Sequence, residues 1–153
     1  MKKGKKTIAA FALLAVSVLA GSLFFLSPNL PVRAEDPIKE VHERIQAGYD
    51  NRDREAFYEA IMDGVELGDP MSYYMAGNVY LVGALGIYKD VSLAVSYYEL
   101  AVEAGRDGLP YSAWAAEELE SIYLFGNQSI AADVEKAELY YRMIQDLQEE
   151  KDW

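Results

Sequence analysis

The sequence of 153 residues contains no cysteine and a single histidine, and these absences remove several classes of site. Without cysteine, a disulfide framework, a thiol nucleophile and cysteine-ligated zinc are all excluded. One histidine is too few for the metal sites that use two. Basic residues are also scarce, because 14 Lys and Arg stand against 25 Asp and Glu, a net charge of −11. This excess of negative charge argues against nucleic acid as a partner.

What the chain does contain is apolar residues, at 52% of the sequence. This fraction is too high for a disordered acidic tail, which cannot bury enough apolar surface to fold. A chain of this length most often forms one domain. The sequence therefore predicts a single folded acidic domain.

Residues 1–34 have the composition of an export signal. They contain no acidic residue, an apolar run over residues 8–26, and five basic residues, Lys2, Lys3, Lys5, Lys6 and Arg33. The small side chains of Val32 and Ala34 predict signal-peptidase cleavage after Ala34. Retention as an inner-membrane anchor is the alternative, because a 19-residue run at about 1.5 Å per residue reaches about 28 Å, close to the thickness of a bilayer core. Either outcome predicts export of residues 35–153 to the periplasm or cell envelope, with membrane contact only through residues 8–26.

The exported segment is more acidic than the whole chain. Residues 35–153 keep nine of the 14 basic residues and all 25 acidic ones, so their net charge is −16. A field of this sign attracts positively charged molecules and speeds their association. We therefore expect a protein or peptide partner, with a basic one favoured by the charge, and no nucleic acid.

The sequence repeats itself at an offset of 43 residues. When residues 79–101 are laid on residues 122–144, nine of 23 positions are identical without a gap. The identical pairs are Tyr80/Tyr123, Leu81/Leu124, Gly83/Gly126, Ile87/Ile130, Asp90/Asp133, Val91/Val134, Ala94/Ala137, Tyr97/Tyr140 and Tyr98/Tyr141. A period of this size indicates stacked supersecondary units. We expect the repeated tyrosines to fill the gaps between stacked helices.

Helix-start signals divide these units into pairs of helices. Five of the predicted helices begin after an aspartate that can cap the first turn, namely Asp36, Asp53, Asp69, Asp90 and Asp133. Pro37 and Pro70 follow two of these caps at the first helical position, where proline is favoured. The chain then divides into a degenerate copy at about residues 37–68 and clear copies at about residues 69–105 and 110–148. Six helices are expected in all.

The repeated residues resemble a known repeat family. They are Ala76, Gly77, Tyr80, Gly83, Gly86, Asp90, Ala94, Tyr97, Tyr98, Ala101 and Gly105 in the first clear copy, and Leu119, Tyr123, Gly126, Asp133, Ala137, Tyr140 and Tyr141 in the second. Their order resembles the Sel1-like repeat, a relative of the tetratricopeptide repeat, over roughly residues 53–148. The resemblance implies an all-α fold, a short right-handed α-solenoid of antiparallel helix pairs with the first helices on the concave side. Two departures are Glu120, where the family usually has glycine, and an enlarged connection at residues 106–111.

No pattern in the sequence indicates catalysis, a cofactor or a metal. His42 lies beside an apolar stripe at helical spacing, which favours a structural histidine over a catalytic one. Glu117, Glu118 and Glu120 are interpreted as solvated glutamates, since no histidine lies near them. No serine occurs in a nucleophile-elbow pattern, and no glycine-rich phosphate loop is present.

A band of residues on the first helices is the predicted partner-binding surface. On the first helix of the first clear copy it comprises Met71, Tyr74, Met75, Asn78 and Val82, at the spacing of one helix face. In the second copy the equivalent residues are Trp114, Glu117, Glu118, Ser121 and Phe125. Aromatic and methionine side chains are enriched at protein interfaces. The alternative is that Met75, Val82, Trp114 and Phe125 complete the core.

These features suggest a noncatalytic protein-binding repeat module that acts outside the cytoplasm as an adaptor or scaffold. The resemblance also implies an alternative, a periplasmic immunity protein that neutralises a secreted toxin such as a phospholipase effector. The resemblance also implies a β-lactamase-like hydrolase, since cysteine-rich members of the family have been linked to that activity. This alternative is less favoured, because the chain lacks their paired cysteines.

Overall fold

The computed structural model describes residues 36–149, and within this range the protein is entirely helical. Six α-helices and one short 3-10 helix are present, with no strand among the described residues. The predicted export signal at residues 1–34 lies outside these residues and stays a prediction. The all-α fold and the number of helices expected from the sequence are confirmed.

The helices begin where the sequence predicts. Their bounds are α1 Pro37–Asp50, α2 Arg54–Glu66, α3 Pro70–Val82, α4 Val91–Glu103, α5 Tyr111–Phe125 and α6 Val134–Gln148, with the 3-10 helix at Gly105–Gly108. All five predicted aspartate caps accept a backbone N–H from the first turn of their helix. Helix α5 has no side-chain cap, and it follows the enlarged connection noted in the sequence.

Consecutive helices pack against each other, as expected for a helical-repeat array. The pairs α1/α2, α3/α4 and α5/α6 form three hairpins, and α2/α3 and α4/α5 contacts join one hairpin to the next. Helices α3 and α5 also touch directly, so the first helices of neighbouring hairpins lie side by side. Buried residues form two clusters along the stack, one spread over α1 to α3 and one over α4 to α6. The fold is therefore a short α-solenoid, whose handedness stays a prediction.

The offset of 43 residues in the sequence corresponds to a repeated contact in space. The rings of Tyr80 and Tyr97 stack with centroids 5.6 Å apart and planes at 15°. Their counterparts Tyr123 and Tyr140 stack at 5.8 Å and 6°. The same two positions in each copy thus join the first helix to the second. The prediction that repeated tyrosines fill gaps between helices is confirmed for these four.

The loops that connect the two helices of each clear copy end in the same way. The backbone N–H of Asp90 donates to the Tyr80 carbonyl at 2.9 Å, and that of Asp133 donates to the Tyr123 carbonyl at 2.7 Å. The two aspartates have nearly the same backbone angles, φ −141° and ψ 96° for Asp90 and φ −143° and ψ 96° for Asp133. The loops begin differently, since ψ is 46° at Gly83 and −179° at Gly126, so the two copies share the end of the loop and its cap.

The prediction about repeated tyrosines is wrong for one residue. Tyr98 is 0% exposed, whereas its counterpart Tyr141 is 52% exposed. Tyr98 lies directly on Gly77, where an added β-carbon would come 2.5 Å from the ring atom Cε1. Glu120 occupies the position of Gly77 in the second copy. A tyrosine cannot approach the helix backbone there, so Tyr141 remains at the surface.

The turn between α1 and α2 has the same geometry as the turn between α2 and α3, but with a different residue at the critical position. The N–H of Asp53 donates to the Gly48 carbonyl at 2.9 Å, and the N–H of Asp69 donates to the Gly64 carbonyl at 3.0 Å. The residue before the second of these aspartates is Gly68, at φ 78°. The residue before the first is Arg52, at φ 58°. A side chain in this left-handed region costs about 1 kcal/mol relative to glycine.

Candidate functional site

Four aromatic rings gather where α3, α4 and α5 meet. Tyr74 lies with its ring centroid 5.7 Å from Trp114, 6.2 Å from Tyr111 and 6.0 Å from Tyr98. Tyr111 and Trp114 meet edge to face at 5.3 Å. Two residues of the predicted band, one from each clear copy, are thus brought into contact. Trp114 is 43% exposed, so part of its indole ring is open to solvent.

Asn78, a residue of the predicted binding band, has a structural role, because it binds the buried Tyr98. Its side-chain oxygen Oδ1 accepts the hydroxyl proton of Tyr98 at 2.9 Å. Burial, followed by the nearby Glu118 and Tyr74, raises the pKa of Tyr98, so this hydroxyl stays protonated and able to donate. Asn78 therefore holds the buried tyrosine, and only the half-buried remainder of its amide is open to a partner.

Two glutamates follow Trp114 on the same face of α5. Glu117 is exposed and Glu118 is half-buried, and Ser121 continues this face as an exposed residue one turn later. Burial, and then the charge of Glu117, raises the pKa of Glu118 above its usual range. Within residues 36–149 no cation lies at ion-pair distance from either carboxylate. Glu118 is thus partly removed from water without a compensating charge.

The methionines of the band line a cleft between α1 and α3. Met71 and Met75 border a volume of about 350 Å³ together with Tyr74, Tyr111 and His42. Met75 also borders a second cleft of about 230 Å³, which Asn78, Val82, Phe57 and Leu85 line. The two clefts lie on either side of a shared residue, Met75, and we call them together the band groove. It extends along the first helices from Tyr111 toward the end of α3.

The alternative that band residues complete the core holds for some of them and fails for others. Met71 and Met75 are partly buried and pack against the core cluster of α1 to α3. Val82 and Phe125, which are equivalent at the offset of 43, are exposed, Phe125 at 77%. Trp114 is intermediate between these cases. Packing of α3 and α5 therefore accounts for the methionines but leaves an apolar surface at the ends of both helices.

His42, which the sequence places beside an apolar stripe, belongs to a polar network that joins α1 to α3. Its Nε2 atom lies 3.0 Å from Oδ2 of Asp69. The same carboxylate oxygen accepts the backbone N–H of Ser72 at 2.9 Å and the Ser72 hydroxyl at 2.6 Å. Ser72 is fully buried, and its proton points to a carboxylate rather than to a histidine. This arrangement orients helices and does not activate the serine as a nucleophile.

No local signal in the sequence indicates the His42 network, because its two ends are 27 residues apart and meet only when the fold brings α1 to the start of α3. Aspartate at position 69 is sufficiently explained by its role as a cap.

The described range contains no group of three or more His, Asp or Glu residues placed to hold a metal ion. In the same range, no helix is long and apolar enough to span a membrane.

Comparison with known proteins returns no similarity on which a function could be based. No family model, no curated protein and no solved structure matches the chain. The likeness to Sel1-like repeats thus depends on the residues quoted above, and the candidate site depends on its geometry.

Proposed function

We propose that the protein is a noncatalytic binding module, of the Sel1-like repeat kind, that acts outside the cytoplasm as an adaptor or scaffold. One observation carries this proposal: the partly exposed ring of Trp114 lies one helical turn from the half-buried, unpaired carboxylate of Glu118, on the same face of α5. Tryptophan and tyrosine are the residues that most often dominate the binding energy of protein interfaces. The band groove extends this surface along α3.

The charge of the site supports a basic partner. A carboxylate that is partly withdrawn from water gains most when a cation arrives, since the cation replaces the lost hydration. The net charge of −16 on residues 35–153 would steer such a partner toward the protein from a distance. Arginine suits the site best, because its planar guanidinium can pair with a carboxylate and stack on an aromatic ring.

The proposed location follows from residues 1–34. Their basic start, apolar run and small residues before position 35 support export to the periplasm or cell envelope. If the segment is retained, residues 8–26 anchor the protein in the inner membrane. The binding surface of α3 and α5 faces the same compartment in both cases.

The substitution Glu118→Gln is expected to stabilise the free protein while weakening partner capture. Folding raises the pKa of Glu118, so the ionised side chain opposes folding above that pKa and has no effect below the pKa of the unfolded chain. The gain in the free energy of unfolding at pH 7 is small, because solvent screens this partly exposed group. Thermal unfolding at pH 7 and pH 3 measures it, with no gain expected at pH 3.

Capture of the partner by the same variant gives the functional half of this prediction. Protein recovered from the envelope of the native host on immobilised wild type is compared with that recovered on Glu118→Gln by quantitative mass spectrometry. We expect at least one protein to be depleted about tenfold or more, as when one side of a buried charge pair is removed. Glu103→Gln on the exposed side of α4 is the matched control. Equal capture by both variants would contradict the proposed site.

The identity of the captured protein separates the two functions that the sequence leaves open. A secreted toxin such as a phospholipase effector favours the immunity protein. Components of an envelope assembly favour the adaptor. A noncatalytic role is further supported by the His42 network, in which the histidine and the buried Ser72 hydroxyl both bind the Asp69 carboxylate.

A further inference from the structure

A cleft at the turn between α1 and α2 differs in charge from the rest of the protein. Its volume is about 380 Å³, and Tyr49, Arg52, Asp53, Arg54, Phe57 and Leu85 border it. We call it the arginine cleft. It shares Phe57 and Leu85 with the second part of the band groove, so it lies at the far end of that groove from Trp114. Volumes of this size are typical of small-ligand sites.

The two arginines of the cleft have no partner within the described residues. Three other basic residues of this range are in ion pairs: Arg44 with Asp63, Lys39 with Glu43 and Arg142 with Glu138. Neither Arg52 nor Arg54 forms such a pair or a side-chain hydrogen bond. Two arginines without an acidic partner thus border one cleft, although residues 35–153 contain 25 acidic residues.

The one carboxylate that borders the arginine cleft is already engaged. Asp53 caps α2, and its side chain accepts the backbone N–H of Ala56 at 3.1 Å. The N–H groups of both guanidinium groups are therefore left for a ligand, and planar guanidinium groups bind carboxylates with two parallel hydrogen bonds. The cleft is suited to an anion with flat geometry.

The backbone around the cleft is strained. Arg52 and Leu85 are the two non-glycine residues of the described range with a positive φ, 58° in each case, and both border this cleft. The matching turn after α2 uses Gly68 and carries no such strain. Positions that keep a side chain in an unfavourable conformation cluster at ligand sites, because the side chain is needed there.

The other walls of the cleft are apolar. Tyr49 is 70% exposed, and its ring centroid lies 6.3 Å from that of Phe57. Phe57 and Leu85 are half-buried and pack on the core of α1 to α3. A flat apolar group can therefore lie against Tyr49 and Phe57 while a charged group reaches the arginines.

We propose that the arginine cleft binds a carboxylate attached to an apolar body, with the carboxylate on Arg52 and Arg54 and the apolar body on Tyr49 and Phe57. This site is independent of the proposed function at Trp114 and Glu118, because it uses other residues and the opposite charge. The ligand is a free carboxylic acid or an acidic side chain next to an apolar one in a peptide.

The test uses the protein as its host produces it, labelled with ¹⁵N, and two probes that carry the same chemistry. The probes are 3-phenylpropionate and N-acetyl-Phe-Asp-amide, and the control ligand is 3-phenylpropionamide, which keeps the apolar body and lacks the charge. We expect saturable shifts of the amide resonances of Phe57 and Leu85, with Ser121 unchanged. The tighter of the two probes identifies the source of the carboxylate, and a neutral amide that binds as well as the acid overturns the proposal.

Substitution of Arg52 separates a ligand site from a structural role. Arg52→Gly relieves the backbone strain, so we expect Tm to rise by about 2 to 4 °C while probe affinity falls at least tenfold. Arg54→Gln should give the same loss of affinity. Lys89→Ala removes one positive charge outside the cleft and should change affinity less than twofold. Unchanged probe binding by Arg52→Gly overturns the site, and it leaves the capture result at Glu118 unaffected.

Discussion

Tyr98→Ala is expected to lower the free energy of unfolding by about 4 kcal/mol, the cost of emptying a fully buried aromatic position. Tyr98 is 0% exposed and fills the space between Gly77 of α3 and the α5 helix. Its hydroxyl also donates to Asn78, so truncation leaves a half-buried amide oxygen without its donor. Since domains of this size are stable by about 5 to 15 kcal/mol, the variant should fold but melt at a much lower temperature.

The chain supplies its own control for this prediction. Tyr141 stands at the equivalent position of the second copy and is 52% exposed. Tyr141→Ala should cost less than about 1 kcal/mol, as for most surface substitutions. Urea unfolding followed by circular dichroism measures both variants, and Tyr98→Phe isolates the hydroxyl contribution at about 1 kcal/mol. Equal losses at positions 98 and 141 would show that the two copies do not differ as described.

Asp69→Ala is expected to cost about 3 kcal/mol, about three times the cost of a cap alone. The Asp69 carboxylate binds the Ser72 N–H, the Ser72 hydroxyl and His42 through one oxygen. Removing it leaves the buried Ser72 hydroxyl without a partner and releases α1 from α3. The cap contributes about 1 kcal/mol of this loss, and the unsatisfied buried groups contribute the rest.

The control for Asp69 is Asp90, which caps α4 from an exposed position and accepts only the Leu93 N–H. Asp90→Ala should cost about 1 kcal/mol in the same urea experiment. Asp69→Asn keeps an acceptor for the Ser72 N–H and should fall between the two alanine variants. A loss at Asp69 no greater than that at Asp90 would mean that the His42 network adds nothing to the cap.

Local signals explain why so much of the fold could be predicted from the sequence. A cap such as Asp90 binds the backbone three positions away, so the start of a helix can be recognised from a few adjacent residues. The offset of 43 residues adds a second independent signal, because Tyr80 and Tyr97 form the same stacked pair as Tyr123 and Tyr140. Six helices and their pairing follow from these two features.

The features that the sequence could not predict depend on which faces meet across the stack. Helix α3 is apolar on nearly every side, so periodicity does not show which of its residues face a partner. Asn78 consequently belongs to the predicted band although it holds Tyr98. Tyr141 is exposed because Glu120 stands where the first copy has Gly77. The sequence alone does not show this effect, because it does not show that Gly77 and Tyr98 are in contact.

The same limit applies to the charged sites. His42 and Asp69 meet only when the fold brings α1 to the start of α3, and no local pattern links them. No pattern in the sequence singles out Arg52 and Arg54. Only the comparison of the two turns shows that Arg52 has a positive φ at the position that Gly68 occupies in the next turn. Helical spacing together with the offset of 43, in contrast, predicts one band that includes Tyr74 and Trp114, and their rings lie 5.7 Å apart.

Site-directed photo-crosslinking in living cells tests most directly whether the face of α5 that carries Trp114 and Glu118 binds a protein. A photoreactive phenylalanine analogue replaces the exposed Ser121 on this face, and in a second strain it replaces the exposed Ser96 on α4. The account predicts a discrete adduct of higher mass from position 121, lost when Trp114→Ala is added, and none from position 96. The same adducts from both positions, or none from position 121, would contradict it.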